Sequence, residues 1–523
     1  IVVGEDLEGH PDEDRQDHHA PPGEGVPPRA LVTEPMATRC RLVHAGPPAS
    51  FDGAGRPYFL IPTVERPESQ GSGAAGIGMA GSLRPMDRHR YVADAVVTCD
   101  ATDAVYTPGV VEVADDRIAW VGPVDGEAVV DDSTTVHHLG GLLMPGLVNS
   151  HCHTPMTLVR GAGDGLPLDR WLREAMWPRE GRMTAEDVWW GMTLGSAEML
   201  RAGVTTSCEM YLFEEALVEA VTASGARLVM TPGVLSALHA DSHGQGSDRM
   251  VALAEFHARH HDPAGRITVG IAPHSAYDLG VAACSELADL ARSLKAVLHL
   301  HVAETKMESA ALEAEHGASI VRILAEHGVF GGRVLAAHCV WVDDADIAVL
   351  SDAGVAVAHC PVSNMKLGSG IAPLAAMLSA GVTLGLGTDG PASNDSLDLW
   401  EEVKMAALLA RVAALDSTAV TPAQVLAMAT RGAAAAVGLD DVGRLAEGFV
   451  ADMIRIDLDH STFVPVTEPS ELLAHLVWAG SDRRVTDVWV AGEPVVVDGR
   501  VTNVDEDRAR AEVSSRAVRL AEG

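Results

Sequence analysis

The sequence predicts an α/β fold: a (β/α)8 barrel with a small β-sandwich built from both ends of the chain. Three observations carry this. Short apolar runs ending in polar residues occur eight times over about 300 residues, and amphipathic helical stretches separate most of them. The ends of those runs carry His151, His153, His274, Glu304, His338 and Asp389. Short β-type runs broken by Gly, Pro and Asp flank the repeat on both sides.

Taken in order, residues 1–85 contain "HAPPGEGVPP" and "SQGSGAAGIGMAGS". Dense Gly, Pro and Ser with weak apolar periodicity reads as disorder, or as an over-extended translation start with Met86 as the beginning. Residues 86–145 hold "YVADAVVTCD", "GVVEVADDRIAWVG" and "TVHHLGGLLMPG", and residues 446–505 hold "ADMIRIDLD" and "RVTDVWVAGEPVVVDGRV". These two segments are expected to pair into one composite sandwich. Residues 146–445 form the barrel, with strands at "LVNSHCH", "VTTSCEM", "RLVMTPG", "ITVGIAPHS", "VLHLHVAE", "VLAAHCVW", "VAVAHCPVS" and "VTLGLGTDG". Residues 506–523 read as a helical tail.

Composition narrows the function classes. Of the 523 residues, 47% are apolar, enough for a large core, yet no apolar run approaches the roughly 20 residues of a membrane span. The net charge of −35 repels phosphate backbones and anionic lipid, which argues against nucleic acid or membrane partners. Seven scattered cysteines without a CxxC pair argue against a disulfide framework or a thiolate zinc site. A soluble, cytoplasmic protein is the expectation.

The strand ends carry the chemistry. Alternate residues on a strand share a face, so His151 and His153 point together into the barrel mouth and Cys152 points away. Alone, an HxH pair reads as two surface or turn histidines sooner than as two metal ligands. In "LHLHVAE", His301 lies nearer the mouth and is the better ligand, and His299 is a deeper, hydrogen-bonded barrel histidine. Glu304 follows at the strand exit, placed to handle protons. Asp389 ends the eighth strand as a ligand or general base, although a turn or capping aspartate fits the local sequence equally. His338 reaches the same mouth from the sixth strand. Three histidines and a carboxylate with one position open to water describe a catalytic mononuclear site, where the metal lowers the water pKa to about 7.

The segments "PGLVNSHCHTPMTLVRG", "HVAET", "AHCVWVDD", "SNMKLGSGIAPL" and "LGTDGPASNDSLDLWEEVK" together resemble the amidohydrolase superfamily. More narrowly, they are similar to its mononuclear deaminase branch, the methylthioadenosine/S-adenosylhomocysteine deaminases and related chlorohydrolases. The resemblance implies that His151, His153, His301 and Asp389 bind the metal. It implies that Glu304 shuttles a proton to a ring nitrogen and that His338 hydrogen-bonds the attacking hydroxide and the tetrahedral intermediate. Binuclear relatives carry a carboxylated lysine on the fourth strand. This chain has no lysine between His151 and Lys295, so a single divalent ion is implied, zinc in most of the branch and iron as the alternative.

For substrate, the resemblance places Trp171 on the base and Glu180 on the ribose hydroxyls, both from "LPLDRWLREAMWPRE". It places His274 on the sugar and Ser393 near the purine. A helix anchor is the competing role for Trp171, and a helix cap for Ser393. An arginine that family members often carry after the third strand is missing, with Pro232 near that place, and Arg249 is the candidate replacement. The implied reaction is hydrolytic deamination of an adenine-type nucleoside. The alternatives are the same chemistry on another N-heterocycle and a non-catalytic barrel used as a scaffold. The family often assembles into homo-oligomers.

Overall fold

The computed structural model describes residues 88–126, 134–236, 247–479 and 484–522. The N-terminal segment 1–85 lies outside the described residues. The eight expected strand runs all form barrel strands: Leu147–Cys152, Val204–Tyr211, Arg227–Val234, Ile267–Val269 continued by Ala272–Pro273, Leu298–Val302, Val334–His338, Ala356–His359 and Leu384–Leu386. Parallel strands with helices outside and side chains inside are buried on both faces, which is why they read as near-continuous apolar runs.

The first four strands pair side by side, as do the last four. Parallel bridges join the two halves. Ile271 pairs with Leu298 and Ser275 with His301 on one side, and Cys152 pairs with Asp389 on the other. The Asp389 N–H donates to the His151 carbonyl at 3.0 Å, so the eighth strand closes against the first directly at the expected ligands.

Helix caps set where the strands stop. Thr305 caps the helix Lys306–His316, and Glu308 closes a reciprocal capping box, so the chain turns immediately after Glu304. The helix Ala185–Arg201 starts the same way at Thr184 with Asp187.

A seven-stranded sheet combines both ends of the chain. Met453–Ile456 pairs antiparallel with Leu142–Pro145 and, on its other edge, with Val485–Val490. A four-stranded sheet, Arg88–Ala93 with Gly109–Ala114, Arg117–Pro123 and Thr135–His138, shares a small core with it that includes Tyr91, Val111, Leu143, Met453 and Trp489. The C-terminal helix Glu506–Glu522 lies on Ala185–Arg201, where Arg516 and Arg519 both reach the fully buried Asp187. Among the described residues, no helix is long and apolar enough to cross a membrane.

One buried ion pair ties the barrel to the two-ended sheet. Arg227, opening the third strand, donates from Nε to Asp452 Oδ2 at 2.8 Å and from Nη2 to Oδ1 at 3.2 Å. Asp452 Oδ1 also accepts the Ala491 N–H at 2.7 Å. Truncating Asp452 to Ala strands a buried guanidinium and is expected to cost about 3–5 kcal/mol, read as a lower denaturant midpoint.

The closed barrel also buries imidazoles in neutral form. Burial pushes His151 and His359 down to about 3 and His274 to about 4, and it takes His299 and His301 well below the usual histidine range. The unfolded chain binds these protons near pH 6.5 and the folded chain refuses them. Stability contributed by these groups is therefore complete above about pH 6.5 and is lost as the pH falls toward 4. Denaturation midpoints of the metal-free protein should fall over that window and stay level between pH 7 and 8.

Candidate active site

The barrel mouth gathers His151, His153, His301, His338, Glu304 and Asp389, drawn from the first, fifth, sixth and eighth strand ends. Backbone geometry at the exits helps to aim them. His338 and Asp389 have φ of 73° and 59°, in the left-handed region that non-glycine residues seldom occupy. Ala303, just before Glu304, has φ of 50°. Such strain of about 1–3 kcal/mol per residue persists only where the surroundings enforce it, and it concentrates at functional sites.

Each of the four imidazoles is tethered through Nδ1, which leaves Nε2 for the centre. His153 Nδ1 donates to the Met210 carbonyl at 2.6 Å, and His301 Nδ1 to the His274 carbonyl at 2.8 Å. His338 Nδ1 meets Asn364 Oδ1 at 2.9 Å. His151 is fixed by a relay. The Thr231 hydroxyl donates to the Glu209 carbonyl at 2.7 Å, so its lone pair accepts Nδ1–H of His299 at 2.9 Å. His299 Nε2 then accepts Nδ1–H of His151 at 2.8 Å. This tautomer leaves a bare lone pair on His151 Nε2, a fully buried atom with no hydrogen-bond partner. A second nitrogen held in this way is the usual arrangement for a metal-ligating histidine.

Asp389 completes the centre. Its Oδ2 accepts the hydroxyls of Ser363 at 2.6 Å and Ser393 at 2.8 Å. Its Oδ1 lies 3.3 Å from His151 Nε2 and 3.2 Å from His153 Nε2. Two nitrogen lone pairs and a carboxylate oxygen this close repel unless a cation lies among them. A proton can do this in part. Burial pulls His153 down, but Asp389 more than reverses the effect and raises it. The His151 lone pair, the neutral His301 beside it and the carboxylate suit a divalent metal better. The ligand atoms of His151, His153 and Asp389 lie within 4.8 Å of one another, as do those of His151, His301 and His338.

Beside this centre, Glu304 is buried, with Oε2 3.9 Å from His338 Nε2. Burial raises its carboxyl, and His338 moderates the rise. A pocket opens from the centre, lined by Glu304, His338, His274, Trp171, Glu180 and Tyr211 among others. Trp171 lines the pocket, and its Nε1 anchors the segment by donating to the Ala162 carbonyl at 3.2 Å. Glu180 is buried at the end of the same helical segment and accepts the Tyr211 hydroxyl at 2.8 Å. Burial raises its carboxyl.

Two expected substrate contacts lie elsewhere. Ser393 is a hydrogen-bond partner of Asp389, not part of the pocket wall and not a helix cap. Arg249 is tied to Glu214 Oε1 at 3.0 Å and does not line the pocket. Its helix, Ser247–His260, turns the guanidinium toward that carboxylate.

Sequence reasoning missed Tyr211, Asn364, Ser363 and Glu209. Glu209 is fully buried, takes Thr154 N–H on Oε2 at 2.9 Å, and takes the Thr154 hydroxyl and Cys152 thiol on Oε1, clamping the backbone on both sides of His153. A charged residue inside an apolar strand run, "TTSCEMY", was the available signal.

Comparison with known proteins agrees with this geometry. The model of the Amidohydrolase family matches residues 142–495. A 5-methylthioadenosine/S-adenosylhomocysteine deaminase from Pelotomaculum thermopropionicum is 40% identical over 428 residues, 81% of this chain and 97% of that protein. The zinc-bound crystal structure of an adenosine deaminase from Xanthomonas campestris superposes with a TM-score of 0.78 at 34% identity, covering 83% of this chain and 99% of that one. An atrazine chlorohydrolase from Arthrobacter aurescens TC1, complexed with zinc, gives a TM-score of 0.74 at 26% identity, covering 82% of this chain and 100% of that one. From the barrel, the strand-end cluster and these matches together, the chain belongs to the amidohydrolase family and is a hydrolase of carbon–nitrogen bonds whose site is built for a divalent metal.

Proposed function

We propose that the protein hydrolytically deaminates the adenine ring of a nucleoside, using one zinc ion held by His151, His153, His301 and Asp389. The reading is supported most by one juxtaposition. One pocket is lined by Glu304, the expected ligands His153, His301 and Asp389, and the buried Glu180–Tyr211 pair, a fixed acceptor for vicinal ribose hydroxyls. The zinc-bound adenosine deaminase and the 40% identical deaminase support the same chemistry.

When bound, the metal supplies a Lewis acid that brings the pKa of water to about 7. The chain's own groups do the rest. Glu304 takes the proton of the attacking water and returns it to the ring nitrogen beside the carbon that bears the amino group. Burial raises its carboxyl above the ordinary glutamate range, the direction that helps a group first to take and then to return a proton. His338, oriented by Asn364, hydrogen-bonds the attacking oxygen as charge develops there. The carbon becomes tetrahedral, the remaining proton of the attacking oxygen reaches the amino nitrogen, and ammonia leaves as the carbon–nitrogen bond breaks and the carbonyl forms. Trp171 and the apolar walls exclude bulk water from the ring.

The similarity to a zinc-containing chlorohydrolase supports a second reading, the same machinery on another N-heterocycle such as guanine or a triazine. The Glu180–Tyr211 pair favours the nucleoside, because a bare ring has no vicinal hydroxyls for it to hold.

Replacing Glu304 with Gln should leave metal content unchanged and lower ammonia release from adenine nucleosides by at least about a hundredfold. Near-normal turnover in a metal-loaded E304Q enzyme would remove Glu304 from the proton path.

A further inference from the structure

We infer that the pocket selects nucleosides whose 5′ arm is uncharged and apolar, and that Leu235 is a residue that sets this preference. The inference rests on the deaminase reading above and narrows its substrate class. It comes from the charge of the pocket wall. Among the described residues, no lysine or arginine lines the pocket. The carboxylates that do line it are Glu180, Glu304 and Asp389. Hydrocarbon and indole make up much of the remaining wall, including Leu168, Leu172, Trp177, Leu212 and Leu235.

Leu235 follows directly on the third barrel strand, Arg227–Val234, and faces the pocket from there. Arg249, the nearby cation in sequence, is paired with Glu214 at 3.0 Å, and its Nη2 leans on the Gly233 carbonyl at 3.4 Å. Residues 237–246, between these two, contain neither lysine nor arginine. An arm ending in an α-amino acid would thus bring a carboxylate against apolar walls and acidic side chains with no guanidinium to receive it. An arm such as a methylthio group loses nothing there and gains apolar burial.

The test compares kcat/KM of the metal-loaded full-length enzyme for 5′-methylthioadenosine and for S-adenosylhomocysteine. The expected result is a preference of at least about tenfold for the uncharged arm, the scale of one unmet polar contact. Leu235→Arg should move that ratio toward S-adenosylhomocysteine, chiefly through KM. Equal or greater efficiency of the wild-type enzyme on S-adenosylhomocysteine overturns the inference while leaving the deaminase reading intact. The wild-type ratio decides this even if the variant does not fold. No ammonia from any adenine nucleoside, with metal bound, overturns the deaminase reading itself and the inference with it.

Discussion

The hydrogen-bond relay from the Glu209 carbonyl through Thr231 and His299 to His151 fixes the one property on which the site depends, a lone pair on His151 Nε2 facing Asp389. Four barrel strands contribute to the relay, and each link leaves the next only one direction in which to donate. Burial keeps His151 and His299 neutral, and neutral imidazole is the form that binds a metal.

Around that point the fold supplies rigidity at several levels. Asp389 is held by two hydroxyls on Oδ2, so that Oδ1 is presented to the imidazoles. The bridge between Cys152 and Asp389 joins the first and eighth strands where the ligands lie, so closing the barrel and assembling the site are one event. Glu209 grips both neighbours of His153, and Thr305 with Glu308 ends the turn that presents Glu304. The left-handed residues at the strand exits hold stable because packing and these hydrogen bonds leave the chain no alternative.

Much of this was legible in the sequence. Apolar runs buried on both faces gave the eight strands, and polar residues at their ends gave the mouth, because both signals are local. The deeper placement of His299 followed from strand alternation alone. What escaped depends on contacts between distant segments. Tyr211 is an apolar-looking residue whose hydroxyl matters only because Glu180 arrives from another element. Ser393 and Arg249 were placed by analogy of position, and the structure turns each toward a nearer partner, Asp389 and Glu214. A side chain's direction is set by whichever complementary group is closest, and no spacing rule records that.

The central claim is that this network holds a single catalytic divalent ion. Metal analysis of the full-length protein, with ammonia release followed through chelation and re-addition, tests it most directly. The account predicts one ion per chain, with activity lost on removal and restored in proportion as that single equivalent returns. Two ions per chain at full activity, or undiminished deamination by metal-free protein, would contradict it.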